Sequence, residues 1–221
     1  MHAPPNASRL FGLLFLSTVV SVAVQGVMEA GEVRNVLVTA LAATSLLLAF
    51  RAAELAPRLF ALAGVGAAII VLLSLLRGFG VEIGEGAART MNAALVSLAP
   101  PAVAVAVVRD VRSSGQVRLS AVAGVLSLYM LIGMAFAFTY GAVDRFGDAP
   151  FFADGDLATV SNCLYFSFTT LTTVGYGDFV AATSLAHTLA VFEALIGQIY
   201  LVTIVSLIVS NLGRPARRPG T

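Results

Sequence analysis

The chain has 221 residues, of which 58% are hydrophobic and 11% charged, with a formal net charge of +1. A soluble domain of this size carries about twice that share of charge, so most of this surface must face lipid. A single cysteine, Cys163, excludes an internal disulfide, and two histidines, His2 and His187, argue against a histidine-based metal or catalytic site. In chain order, residues 10–28 run without a charge after Arg9, long enough to cross a bilayer. A secretory signal peptide starts similarly, but this run is longer than a signal core and no clean small-x-small site follows. A second span, residues 35–50, lies between Arg34 and Arg51, whose side chains are expected to snorkel to the interfaces. Residues 59–76 form a third, entered by Pro57 and Arg58 and closed by Arg77. Residues 91–108 form a fourth, which Pro100 and Pro101 should kink or break.

A polar, basic linker over 109–118 leads to a fifth span, residues 119–143. An acidic segment with Pro and Gly covers 144–156. The apolar run 157–171 is too short to span and reads as a re-entrant helix, started by Asp156 or Thr159 as cap. Phe166, Phe168 and Tyr165 would wedge it against the flanking helices, and Cys163 would pack as a small hydrophobe. Residues 179–213 form a sixth span whose one charge is Glu193, and the tail 214–221 is basic. With alternating spans, nine arginines and two carboxylates fall on one side, against four arginines and nine carboxylates on the other. Arginine excess marks the cytoplasmic side. This predicts a multi-pass protein of the cell membrane with both termini cytoplasmic.

Between the short apolar run and the sixth span stands Thr172-Thr173-Val174-Gly175-Tyr176-Gly177-Asp178. Backbone carbonyls stack on one side of such a loop if successive residues alternate between ordinary and left-handed conformations. Gly175 and Gly177 supply positive φ without steric cost, and Val174 and Tyr176 can brace the loop from behind. A bare Gly turn between apolar helices would need none of the other residues.

Residues 164–178 resemble the pore helix and selectivity filter of the tetrameric potassium channels, in which rings of carbonyls replace a cation's hydration shell. The resemblance implies potassium ions held by Thr173, Val174, Gly175 and Tyr176, with the Thr173 hydroxyl at the innermost site and Gly177 completing the loop. It also implies Asp178 at the outer mouth, bonded to the back wall, with Thr169, Thr170 and Thr172 as support. Ordinary back-bonding within the helix is the plain alternative for the threonine hydroxyls. The C-terminal end of the pore helix would present its negative dipole to a central cavity. One filter per chain implies a homotetramer in the bilayer.

Gly197, nineteen residues after Asp178, resembles the gating hinge of the family's inner helix, though small residues also let helices approach closely. Leu201, Val205 and Val209 recur at helical spacing as candidate inner-pore residues, or as lipid or bundle contacts. Glu193 must pair, reach water or stay protonated; Thr169, Thr170 and Tyr165 are its candidate partners.

The fold implied is all-α: six transmembrane helices, a re-entrant pore helix and a filter loop, assembled as a tetramer. Residues 1–112 form a four-helix region, 113–213 a pore domain and 214–221 a cytoplasmic tail. Six spans with the pore last resemble voltage-gated channels, but the fourth span holds no Arg or Lys, so voltage gating does not carry over. No nucleic-acid partner or soluble ligand site is indicated; potassium is the expected bound species. The chain thus reads as a passive potassium channel and not an enzyme. A potassium transporter component and a non-conducting membrane sensor with a retained pore fold are the alternatives.

Overall fold

A computed structural model describes residues 7–29, 31–79, 85–114 and 119–206. Its helices are α1 (Ala7–Val27), α2 (Glu32–Ala52), α3 (Pro57–Gly78), α4 (Glu85–Ser114), α5 (Leu119–Phe146), α6 (Val160–Leu171) and α7 (Ser184–Tyr200), and α7 runs into a π-helical turn, Leu201–Val205. Among the described residues, six helices are long and apolar enough to cross a membrane. The exception, α6, has 12 residues and is about 18 Å long at 1.5 Å per residue, short of a ~30 Å hydrocarbon core. The expected tail over 214–221 lies outside the described residues.

Helix α2 lies against α1, α3 and α4, while α5 packs on α1 and α4 and carries α6 on another side. Lipid tails are as apolar as leucine, so helices in a bilayer gain little from burying leucine against each other. Close contact and hydrogen bonds matter more. The buried positions of α2 are accordingly small or polar: Thr39, Ala42, Ala43, Ser45 and Ala49 accompany Val38 and Leu46. Ser17 of α1 and Ser45 of α2 share a hydrogen bond of 2.9 Å, and Thr39 donates to Asn92 of α4 at 2.9 Å. In α3 the one buried residue is Ala67, whereas Leu62, Val65, Ile69 and Leu72 are exposed, so α3 forms the periphery.

The two ends of this bundle carry different ties. At one, Arg77 pairs with Glu32 at 3.2 Å. At the other, Arg109 donates to the carbonyls of Ala53 and Glu54 in the α2–α3 turn. Residues expected to share a membrane face thus meet in space.

Two expectations need correction. Helix α4 is continuous through Pro100 and Pro101; of the expected kink or break, the break does not occur. They remove two backbone donors, but α4 is gripped along its length by α2 and α5, with Ala99, Ala102 and Val103 all buried there. Packing in a membrane tolerates such gaps. The sixth span starts at Ser184, not at 179, because residues 179–183 pair with the segment before α6. Phe152 and Ala181 form an antiparallel bridge, Ala153 N–H donates to Val180 at 2.9 Å and Ala182 N–H to Phe151 at 2.8 Å.

Replacing Thr39 by Val removes the α2–α4 bond. Buried hydrogen bonds between membrane helices average about 0.6 kcal/mol and reach ~1.7. Thr39→Val is therefore expected to lower the unfolding free energy in mixed micelles by about 1 kcal/mol, with Asn92→Ala similar and the double variant less than additive.

Candidate functional site: the loop after α6 and its support

The α6 helix starts where Thr159 accepts a hydrogen bond from the Asn162 N–H at 3.1 Å. Of the two expected caps, Thr159 is the one used. The helix is fixed from behind by an aromatic cluster. Tyr140 of α5 lies 5.3 Å from Phe166, centroid to centroid, and Phe151 and Phe152 meet Phe166 edge-on at 5.7 and 5.6 Å. Asp144 holds this cluster's loop by accepting from Phe151 N–H at 2.9 Å. Cys163 is buried in α6, as expected.

A helix ends with four carbonyls lacking intrahelical partners. Here all four find donors. The Phe168 carbonyl accepts from Thr172 N–H at 3.0 Å and from the Thr172 hydroxyl at 2.6 Å. The Thr169 carbonyl takes both Val174 N–H, at 2.8 Å, and Gly175 N–H, at 3.1 Å, while Thr170 takes Thr173 N–H at 2.9 Å. The Leu171 carbonyl accepts from the Tyr129 hydroxyl at 3.0 Å. The threonines thus support the loop through their carbonyls; the Thr169 hydroxyl bonds back to Phe166 at 3.0 Å, the ordinary helical pattern. The negative dipole end of α6 therefore consists of capped carbonyls.

Beyond this knot φ is positive at Thr173 (59°), Gly175 (52°) and Gly177 (78°). The expected glycines adopt the expected conformation. Thr173 does so too, without being glycine, at roughly 1–2 kcal/mol for the left-handed region. The bonds from Thr173 N–H and Val174 N–H hold it there. Every second residue is left-handed, so the peptide planes of the loop alternate in hand. Val174 is 51% exposed and Tyr176 71%. Tyr165 does not wedge α6 against its neighbours. It stacks on Tyr176 at 6.3 Å and hydrogen-bonds Asp178, whose carboxylate keeps the phenol above its ordinary pKa. Asp178 also accepts from Phe179 N–H at 3.1 Å, which ties it to the wall of the loop.

Glu193 is fully buried on α7, but its partners are not Thr169, Thr170 or Tyr165. Tyr140 of α5 bonds Oε2 and Ser167 of α6 lies 2.5 Å from Oε1. The Thr169 hydroxyl is instead engaged by the Phe166 carbonyl. Tyr129, Tyr140 and Ser167 were missed from sequence. The available signal was the spacing of the two tyrosines, eleven residues or three helical turns apart, which puts two long polar side chains on one face of α5.

Gly197 is buried at the crossing of α7 with α6. A methyl group there would collide with the Leu171 carbonyl. Close approach accounts for this glycine. The irregular backbone begins one turn lower, at the π-helical turn, where the Thr203 hydroxyl bonds Ile199 at 2.5 Å. Leu201 opens that turn and is 37% exposed. Val205 closes it, and Val209 lies outside the described residues. Just above, the Tyr200 hydroxyl donates to the Val125 carbonyl of α5, 5.3 Å ring to ring from Tyr129.

Because the Gly197 contact is with backbone, which cannot swing aside, Gly197→Ala should cost about 1–3 kcal/mol, the usual range for overpacking. The expected readout is a lower melting temperature of the purified protein. Gly64→Ala, whose added methyl meets nothing closer than 3.9 Å, should leave it unchanged.

A family model described as an ion channel matches residues 124–214. A search of curated proteins finds no match to the chain. The matched stretch takes in most of α5, together with α6, the loop and α7, and is similar to ion channels. Together with the six apolar helices, it makes this chain a multi-pass membrane protein whose C-terminal part reads as an ion channel.

Proposed function

We propose that the chain is one quarter of a potassium-selective channel that conducts passively. It would lie in the cell membrane with both termini cytoplasmic. The observation that carries this reading is the alternation of left-handed backbone at Thr173, Gly175 and Gly177. Alternation in hand turns successive carbonyls toward one side, and neutral carbonyl dipoles can replace the water around a monovalent cation. Thr173, Val174, Gly175 and Tyr176 would supply those oxygens to K+, Gly177 the outermost bend, and Asp178 a negative charge at the entrance.

One such loop cannot surround an ion. The exposure of Val174 and Tyr176, of Leu195, Ile196 and Ile199 on α7 and of Val202 in the π-helical turn favours neighbouring copies around the loop. A fourfold ring satisfies both needs. In that ring α7 would line the inner pore through Leu201 and the residues below it. The π-helical turn is the better candidate for bending than Gly197, which is clamped by Leu171.

The first four helices support a collar and not a sensor. A charge crossing the full field contributes about 2.3 kcal/mol per 100 mV, and residues 92–108 of α4 carry none. Helices α1 and α4 also pack on α5 of the same chain, which would hinder a sliding movement.

Recording from the purified protein in planar bilayers tests the reading. Unitary currents should reverse near the potassium potential in opposed potassium and sodium gradients, and open probability should vary weakly with voltage. Gly175→Ala should abolish selectivity while leaving cross-linked tetramers intact. Currents that reverse midway between the two ion potentials, saturable ion-coupled uptake, or silence would each count against it.

A further inference from the structure

Three helices meet at Glu193 in a network with more hydrogen-bond contacts than its hydroxyl groups have protons. Ser167 Oγ lies 2.6 Å from the Gly133 carbonyl of α5 and 2.5 Å from Glu193 Oε1. Tyr140 bonds Glu193 Oε2. Each contact needs a proton between its two oxygens, so three are required. The Gly133 carbonyl brings none, and the hydroxyls of Tyr140 and Ser167 bring one each. The third must come from Glu193. Its surroundings agree. Glu193 and Ser167 are each 0% exposed, as is Tyr140, so no bulk water solvates a charge there. The titratable groups that face it are Tyr129 and Tyr140 from α5, with Cys163 of α6 behind Tyr140, none of them cationic. On α7 itself the nearest titratable residue is His187, which is exposed. Glu193 has no ion pair among the described residues.

We propose that Glu193 is a neutral carboxylic acid that donates its proton to Ser167, and that this proton latches the inner helix α7 to the pore helix α6. The chain of donation runs from the Glu193 O–H to Ser167 Oγ and from the Ser167 O–H to the Gly133 carbonyl. The Tyr140 hydroxyl donates to Oε2. One acid proton therefore closes contacts among α5, α6 and α7. When a base takes it, only the Glu193 O–H bond breaks, and the carboxylate left behind can only accept. Ser167 must then desert either Gly133 or Glu193. Two residues further on, the Thr169 carbonyl holds the N–H groups of Val174 and Gly175, so release at Ser167 loosens the base of the loop. That last consequence rests on the proposed channel reading; the protonation state does not.

The test uses the full chain in lipid bilayers. The infrared difference between wild type and Glu193→Gln at neutral pH should contain the C=O stretch of a strongly hydrogen-bonded carboxylic acid, shifted in deuterium oxide. Carboxylate stretches in its place would overturn the proposal. Melting against pH gives an independent readout. A proton kept in the fold and lost on unfolding makes stability fall as pH rises above the ordinary glutamate range. Wild type should show that slope, and Glu193→Gln should lack one proton per chain of it. The amide places an N–H where the acid had its O–H, so Glu193→Gln should also keep the neutral-pH melting temperature that Glu193→Ala loses. Equal slopes would show that Glu193 keeps no extra proton in the fold, and a Gln variant that fails to assemble or melts as low as the Ala variant would show that the carboxylate itself is needed; either overturns the latch. None of these readouts requires conduction, so failure of the latch is distinguishable from failure of the channel reading.

Discussion

Everything at the C-terminal half turns on the end of one short helix. A helix terminus buried in a membrane cannot leave four carbonyls unpaired, because no water is there to take them. In this chain the next few residues solve the problem by folding back at once. Thr172, Thr173, Val174 and Gly175 give their N–H groups to Phe168, Thr170 and Thr169, and α5 contributes the Tyr129 hydroxyl to Leu171. This satisfaction of the helix end forces Thr173 into the left-handed region and starts the alternation that Gly175 and Gly177 continue. The loop is shaped from its base upward.

The same helix end determines how the neighbouring elements sit. Its last carbonyl, on Leu171, occupies the space that a side chain at position 197 would need, so α7 crosses at the distance of a bare backbone. One turn earlier on α7, Glu193 reaches Ser167 and Tyr140. The buried acid and the glycine therefore serve one contact: glycine permits the approach, and hydrogen bonds hold it. Below the crossing, Tyr200 attaches α7 to α5, and the regular helix gives way to a π-helical turn. Polar groups do the gripping because leucine gains nothing by leaving lipid for a helix of the same polarity.

The first four helices follow the same rule at smaller scale. Ser17, Ser45, Thr39 and Asn92 bond across helix pairs, and alanines bring the backbones together. Helix α3, with little polar or small surface turned inward, remains at the edge. Residues 92–108 of α4 carry no charge, and this region meets the C-terminal helices where α1 and α4 pack on α5 and α1 touches α6.

Hydropathy and charge by themselves determined that the chain is helical, that it crosses a membrane and roughly where each span lies, since a bilayer demands runs of about 20 apolar residues. The motif at 172–178 likewise located the loop, and its two glycines announced positive φ, because backbone freedom is a property of the residue itself. What tertiary structure alone decided was partnership. Nothing local says that Glu193 meets Tyr140 and Ser167, that Thr173 adopts a glycine-like conformation, or that Gly197 answers to a carbonyl on another helix. Nor does local pattern reveal that α4 keeps its helix through two prolines, or that residues 179–183 pair with the segment before α6 instead of extending α7. In so apolar a chain every face of a helix looks alike, and which face meets which neighbour is set by the few polar atoms and close approaches that exist only once the helices are assembled.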